Sequence, residues 1–198
     1  MSLTPAQMGD AIVRNLEAKT GYGLAHWLDV LHEGGASGKK SALAYLKSAG
    51  LGHFQAQKVW EAAQGEDPYA DPEALVREQF SAGQRDAYAA FAKTCYALGD
   101  DVEVHPCRTY VPFYAARQFA MLTARPDGSL AVGLALPDDV VAGAGDDGEG
   151  GVLTSAKGLG GSARVNAAFA LAPSGVPTAA QARVLAQAYR YNTAEAPR

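Results

Sequence analysis

The residues best equipped for chemistry or recognition lie in one stretch, Asp100 to Leu136. His105-Pro106-Cys107 sets an imidazole and a thiol two positions apart, and Arg108, Tyr110, Phe113, Tyr114 and Arg117 follow closely. Imidazole and thiolate are good zinc ligands, and residues two apart on an extended chain share a face. A structural zinc takes four such groups, but no CxxC or HxxxH supplies the rest, and His26, His32 and His53 lie far upstream. A nucleophile–base pair is also disfavoured, because same-face neighbours on a strand stand about 7 Å apart. No G-x-S-x-G or H-E-x-x-H signature is present. The sequence therefore implies no catalytic residue, metal ligand or cofactor, and an enzyme using His105 and Cys107 is kept as an alternative.

Recognition is the better use of these side chains. If Arg108 and Tyr110 emerge opposite Val111 and Phe113, one sheet face packs under helices and the other shows His105, Arg108, Tyr110, Tyr114 and Arg117. Exposed aromatic and guanidinium groups suit a small anionic ligand, a planar ligand or a protein partner. Two glycine-rich segments bear on the same question. Residues 142–151 carry acids that repel phosphate and lack EF-hand spacing, so they imply a solvated loop. Lys157-Gly-Leu-Gly-Gly-Ser162 combines unhindered amides with a lysine, a composition that suits an anion or a turn before a strand.

The elements that would position these groups follow from periodicity and caps. Thr4-Pro5-Ala6-Gln7 opens a helix carrying Met8, Ile12 and Leu16 to Gly21. Leu24, Trp27, Leu28 and Leu31 form a second face, and Ala42, Leu43 and Leu46 a third. Phe54, Val59, Trp60 and Ala63 complete a four-helix bundle over residues 1–65. Pro and acidic residues mark 66–74 as a linker. Asp71-Pro72 and a Ser81/Gln84 capping box start two further helices, the second with Tyr88, Phe91, Cys95 and Leu98 on one side.

The period then changes to two. Val102/Val104, Val111/Phe113, Phe119 to Ala124 and Leu130/Val132/Leu134 read as strands, with turns at Ala115–Arg117 and Pro126-Asp127-Gly128. Ala163–Leu171 is a further strand, and Thr178/Gln181 caps a last helix carrying Val184, Leu185, Ala188 and Tyr189. The expected fold class is α+β: a helical bundle, then an antiparallel β-meander flanked by helices over residues 75–192, forming a two-layer sandwich, with 193–198 as a tail.

The net charge of −4 disfavours a DNA-coating protein. Lys39, Lys40 and Lys47 around a short helix leave weak nucleic-acid association as an alternative. No apolar run is long enough to span a bilayer, and the N-terminus lacks a secretory pattern. Together with the two cysteines, Cys95 and Cys107, this places the chain in the cytoplasm, away from membranes.

Two resemblances cover nearly the whole chain. Asn15-Leu16, Lys19-Thr20-Gly21, Leu24, Trp27 and Gly50-Leu51-Gly52-His53 with Ala56 resemble the helical domain of unknown function 4287. Leu98-Gly99-Asp100-Asp101-Val102-Glu103-Val104, Pro106, Thr109-Tyr110-Val111, Phe113 and Gln118-Phe119-Ala120 resemble domain of unknown function 5655, often joined to the first in bacterial proteins. The resemblance implies the architecture and the boundary, but no activity. That family's lysine-rich runs are reduced here to Arg108 and Arg117.

Overall fold

The protein is described by a computed structural model covering residues 5–65, 69–143 and 153–193. The chain divides into two compact units that part between Ala70 and Asp71. The first contains α1 (Pro5–Arg14), α2 (Leu16–Thr20), α3 (Leu24–Glu33), α4 (Lys39–Ser48) and α5 (His53–Ala63). The helix expected from Pro5 to Gly21 is therefore two helices, broken at Asn15. Leu16, Trp27, Leu31, Ala42, Leu46, Leu51, Ala56 and Val59 form the core of this unit. Thr20 organises one end of it: its hydroxyl donates to the Leu16 carbonyl (2.8 Å) and accepts from the Trp27 indole (3.1 Å), fixing the ring that fills the bundle. Met8 and Phe54, expected to face inward, are instead 53% and 69% exposed. On α5 the buried face is set by Ala56 and Val59, and Phe54 lies about half a turn away from it.

The second unit begins with α6 (Pro72–Gln79), inside the stretch expected to be linker. Asp71 explains the start: its carboxylate accepts from the Ala74 N–H at 2.9 Å, and proline occupies the first turn, where no amide partner is needed. That backbone bond, assisted by Arg77, holds the Asp71 carboxyl below its ordinary range. Then come α7 (Ala82–Tyr96), β1 (Glu103–Val104), β2 (Val111–Tyr114), β3 (Gln118–Ala124), β4 (Leu130–Leu134), α8 (Asp138–Gly143), β5 (Thr154–Ser155), β6 (Ala167–Leu171) and α9 (Ala179–Thr193). α8 thus takes in residues 142 and 143 of the segment expected to be a solvated loop, and residues 144–152 lie outside the described residues. The strand expected from Ala163 starts only at Ala167.

The strands form one sheet in the order β1-β2-β3-β4-β6-β5, every pairing antiparallel. Register makes its two faces unequal. Phe113, Ala120, Leu134 and Ala167 share one row, and Val111, Leu122, Val132 and Phe169 the next. These rows pack with Phe91 and Cys95 of α7 and Leu185 and Ala188 of α9. A register shift between Phe113 and Tyr114 adds Phe119 to the same core, its ring 6.4 Å from that of Phe113 and edge-on to Tyr189. The opposite face carries Pro112, Met121, Gly133 and Ala168 in one row and Thr123, Ala131 and Ala170 in the next. Large residues face the helices, while small ones dominate the other side.

The chain entering α9 is fixed by a close backbone approach. Gly175 has φ +71°, and a Cβ there would sit 2.1 Å from the Ala87 carbonyl oxygen of α7. Neither backbone can yield without moving its helix, and the left-handed conformation alone costs a side chain about 1–2 kcal/mol. Gly175→Ala is expected to destabilise the protein by at least about 2 kcal/mol, lowering its melting temperature by roughly 5–10 °C in a calorimetric scan.

Candidate functional site

The pairing of β1 with β2 continues past the assigned strands. Glu103 faces Tyr114 and Val104 faces Phe113, and the Cys107 N–H donates to the Tyr110 carbonyl at 2.9 Å in the same register. Arg108 and Thr109 therefore form the tip of a hairpin. This corrects the expectation that Arg108 and Tyr110 share a strand face: Arg108 is exposed at the turn, and only Tyr110 begins the strand side. Gln79 at the end of α6 donates to the Cys107 carbonyl and anchors this tip to the helical layer.

Alternation sends Val104 toward the core and Glu103, His105 and Cys107 to the other side. His105 Nε2 meets Glu103 Oε2 at 3.0 Å, and its ring lies 5.7 Å from that of Tyr114. Burial raises the Tyr114 phenol above its ordinary range, helped by the neighbouring Cys107. Burial likewise pushes the Cys107 thiol up, while a hydrogen bond with Tyr110 opposes that shift. His105, Cys107, Tyr110 and Tyr114 are thus brought together, all of them half-buried.

Arg117 is placed elsewhere. It stands at the β2–β3 turn, where its guanidinium donates to the Tyr191 carbonyl at 2.6 Å and lies over the Tyr191 ring at 5.5 Å. Its own N–H donates to the carbonyl of Asn192. The Asn192 side chain, fully buried, reaches the carbonyls of Ala135 and Ala188 and accepts from Arg164. Arg117 belongs to this brace between α9 and the sheet rather than to the hairpin cluster.

The small-residue face beyond the hairpin is not open at its centre. Met121 is fully buried there, beneath the loop Lys157–Val165. A Cβ on Gly161 would lie 2.5 Å from the Met121 sulfur and 3.8 Å from the Tyr110 ring, and one on Gly133 would lie 2.6 Å from Val165. The loop approaches this closely because Gly161 has no side chain over Met121 and Gly133 of the sheet leaves room for Val165. Gly158, Gly160 and Gly161 all have positive φ (89°, 78° and 80°). Among the described residues, no backbone carbonyl accepts from the N–H groups of Gly158, Gly160, Gly161, Ser162 or Ala163. Gly158, Gly160, Gly161 and Ala163 are exposed, in a turn beside Tyr110.

On the helical side of β1 lies a groove that was not anticipated from the sequence. Val76, Val104 and Pro106 line it, with Arg77, Arg85, Tyr88 and Tyr96 around them. In the first unit, Lys39, Lys40 and Lys47 are all exposed on α4. Among the described residues no group of three or more His, Cys, Asp and Glu side chains is placed to hold a metal ion. No helix among them is long and apolar enough to cross a membrane.

These elements define a two-layer α+β domain in which an antiparallel sheet is packed by helices on one face. The family described as Domain of unknown function (DUF5655) matches residues 76–192, and the chain belongs to it. No curated protein and no solved structure matches the chain.

The state of Cys107 is directly measurable. A thiol raised by burial is mostly protonated at neutral pH, and only the thiolate alkylates. Iodoacetamide is expected to modify Cys107 more slowly than a free thiol at pH 7.5, with the rate rising only above the ordinary thiol range of about 8.5. Peptide mapping checks this, and rapid labelling at pH 7 contradicts it.

Proposed function

We propose that the DUF5655 domain is a noncatalytic binding module for a small anionic ligand, held where the β1–β2 hairpin meets the glycine-rich loop. The nearness of Tyr110 to Gly161, where an added Cβ would lie 3.8 Å from the ring, carries this reading. It brings a run of amides without backbone acceptors, in a largely exposed turn, to the hairpin that bears Arg108 at its exposed tip. Successive free amides and a guanidinium complement an anion through charge-assisted hydrogen bonds. His105 and Tyr114 add aromatic edges for a planar substituent or a partner's side chain. Arg117 has no part in it, being engaged by α9.

Two observations weigh against the enzyme alternative. Cys107 has its thiol raised rather than lowered, and His105 is turned toward Glu103. We read the first unit as the helical domain 4287, on the strength of Gly50-Leu51-Gly52-His53 and the positions around Trp27. Nucleic-acid association through Lys39, Lys40 and Lys47 is its alternative role, supported by their shared exposure on α4. A cytoplasmic location accords with the free thiols Cys95 and Cys107.

Titrating the isotope-labelled full chain with pyrophosphate at low salt is expected to shift the amide resonances of residues 158–163 saturably. Arg108→Ala is expected to weaken this about tenfold, and added salt to reduce it further. Absence of saturable shifts there, or full affinity in a folded Arg108→Ala protein, rejects the reading.

A further inference from the structure

The segment from Glu103 to Cys107 has two sides, and the second belongs to a different concavity. Val104 and Pro106 point away from His105 and Cys107 into a groove of about 500 Å³ between α6, α7 and β1. That volume falls within the range of small-molecule sites. We infer that this groove binds a planar aromatic carboxylate, a site independent of the anion site proposed at Arg108.

The lining is ordered by helical spacing. Along α7, Ala87, Phe91 and Cys95 are buried in the core, whereas Arg85, Tyr88 and Tyr96 form the adjoining stripe that faces the groove. Val76 of α6 and Val104 contribute apolar surface continuous with the core cluster. The result is an apolar floor between tyrosine rings, with positive charge at its rim.

Each wall group is held in a defined way. Tyr88 packs its ring on Phe80 with centroids 5.7 Å apart, so the ring is fixed before any ligand arrives. Burial, reinforced by the neighbouring Tyr96, raises its phenol above the ordinary range, leaving a neutral hydroxyl able to donate. Tyr96 is 52% exposed, so its ring is accessible at the edge of the groove.

The charged groups choose the ligand. Arg85 donates one N–H to the Phe80 carbonyl at 2.8 Å, which orients its guanidinium, and makes no ion pair with any described carboxylate. Its remaining donors suit the two oxygens of a carboxylate. Arg77 is held by Asp71 at 3.1 Å and Glu73 at 3.7 Å, exposed pairs of the weak kind that a ligand can share. The lining carries two guanidinium groups against one carboxylate, Glu73, so it favours a singly charged anion over a multiply charged phosphate. Flat apolar surface, two phenol rings and a preset guanidinium together match an aromatic ring bearing one carboxylate.

The test uses 2-naphthoate and its neutral counterpart 2-naphthamide on the isotope-labelled full chain. Naphthoate is expected to shift resonances of residues 73–77, 85–96 and 104–106 saturably, and naphthamide to bind at least about tenfold more weakly. Arg85→Gln and Tyr96→Ala are each expected to weaken naphthoate binding, read from the resonances of residues 85–96, about three- to tenfold. Should Arg85→Gln fail to fold through loss of the Phe80 contact, Tyr96→Ala decides the matter, since that side chain is half exposed. Shifts confined to other residues, equal binding of the amide, or unchanged affinity in the folded variants overturns the inference. Pyrophosphate shifts at residues 158–163 report only on the other site, so the two proposals fail separately.

Discussion

One constraint governs the second unit: the sheet can hide bulk on one face only. Phe113, Phe119, Leu122, Val132, Leu134 and Phe169 all turn toward α7 and α9. Burying a side chain of this size contributes about 1.5–3 kcal/mol, so this layer outweighs any other interaction in the domain. The opposite face, with Gly133, Ala131, Ala168 and Ala170, offers too little surface to seat a helix. A loop with glycine at 158, 160 and 161 covers it instead, with Gly161 settling directly onto Met121. The helical layer and the glycine-rich cover are therefore two responses to the same distribution of volume.

That distribution was only partly legible in the sequence. Local chemistry read well: Ser81 starts its helix with its N–H donating to Gln84 Oε1 at 3.0 Å, and Thr178 with Gln181 makes both bonds of a reciprocal cap. Pro126-Asp127-Gly128 makes the turn between β3 and β4, with Gly128 at φ +84° and Asp127 accepting from Ser129. Such signals lie within a few residues of one another. In β3 the pattern is ambiguous, because Phe119 and Met121 are as apolar as Ala120 and Leu122. The irregularity beside Tyr114 then moves Phe119 into the helical layer, which strict alternation does not anticipate.

The candidate sites were harder to read because they depend on distant segments. The side chains of the hairpin were visible as a concentration of Arg, Tyr and His, but their cover comes from a loop some fifty residues later. Nothing local to Tyr110 announces Gly161. Arg117 looked equivalent to Arg108 until α9 was in place to claim it. The groove had a detectable signal in the recurrence of Arg85, Tyr88 and Tyr96 beside the stripe of Ala87, Phe91 and Cys95. Tyr88 alone reads equally well as core, and half of it is.

Both borders of the sheet are unusually brief. β1 and β5 contribute two residues each, with Pro106 following shortly after the first. Among the described residues, Pro106 denies an arriving strand a donor just beyond β1, and β5 offers it two residues of regular pairing. The interior strands, rich in alanine, valine and phenylalanine, are the kind of segment that anneals readily between molecules, and these short margins keep them out of reach. Resistance to fibrous association is thus written into the rim of the sheet rather than into the charge of the chain.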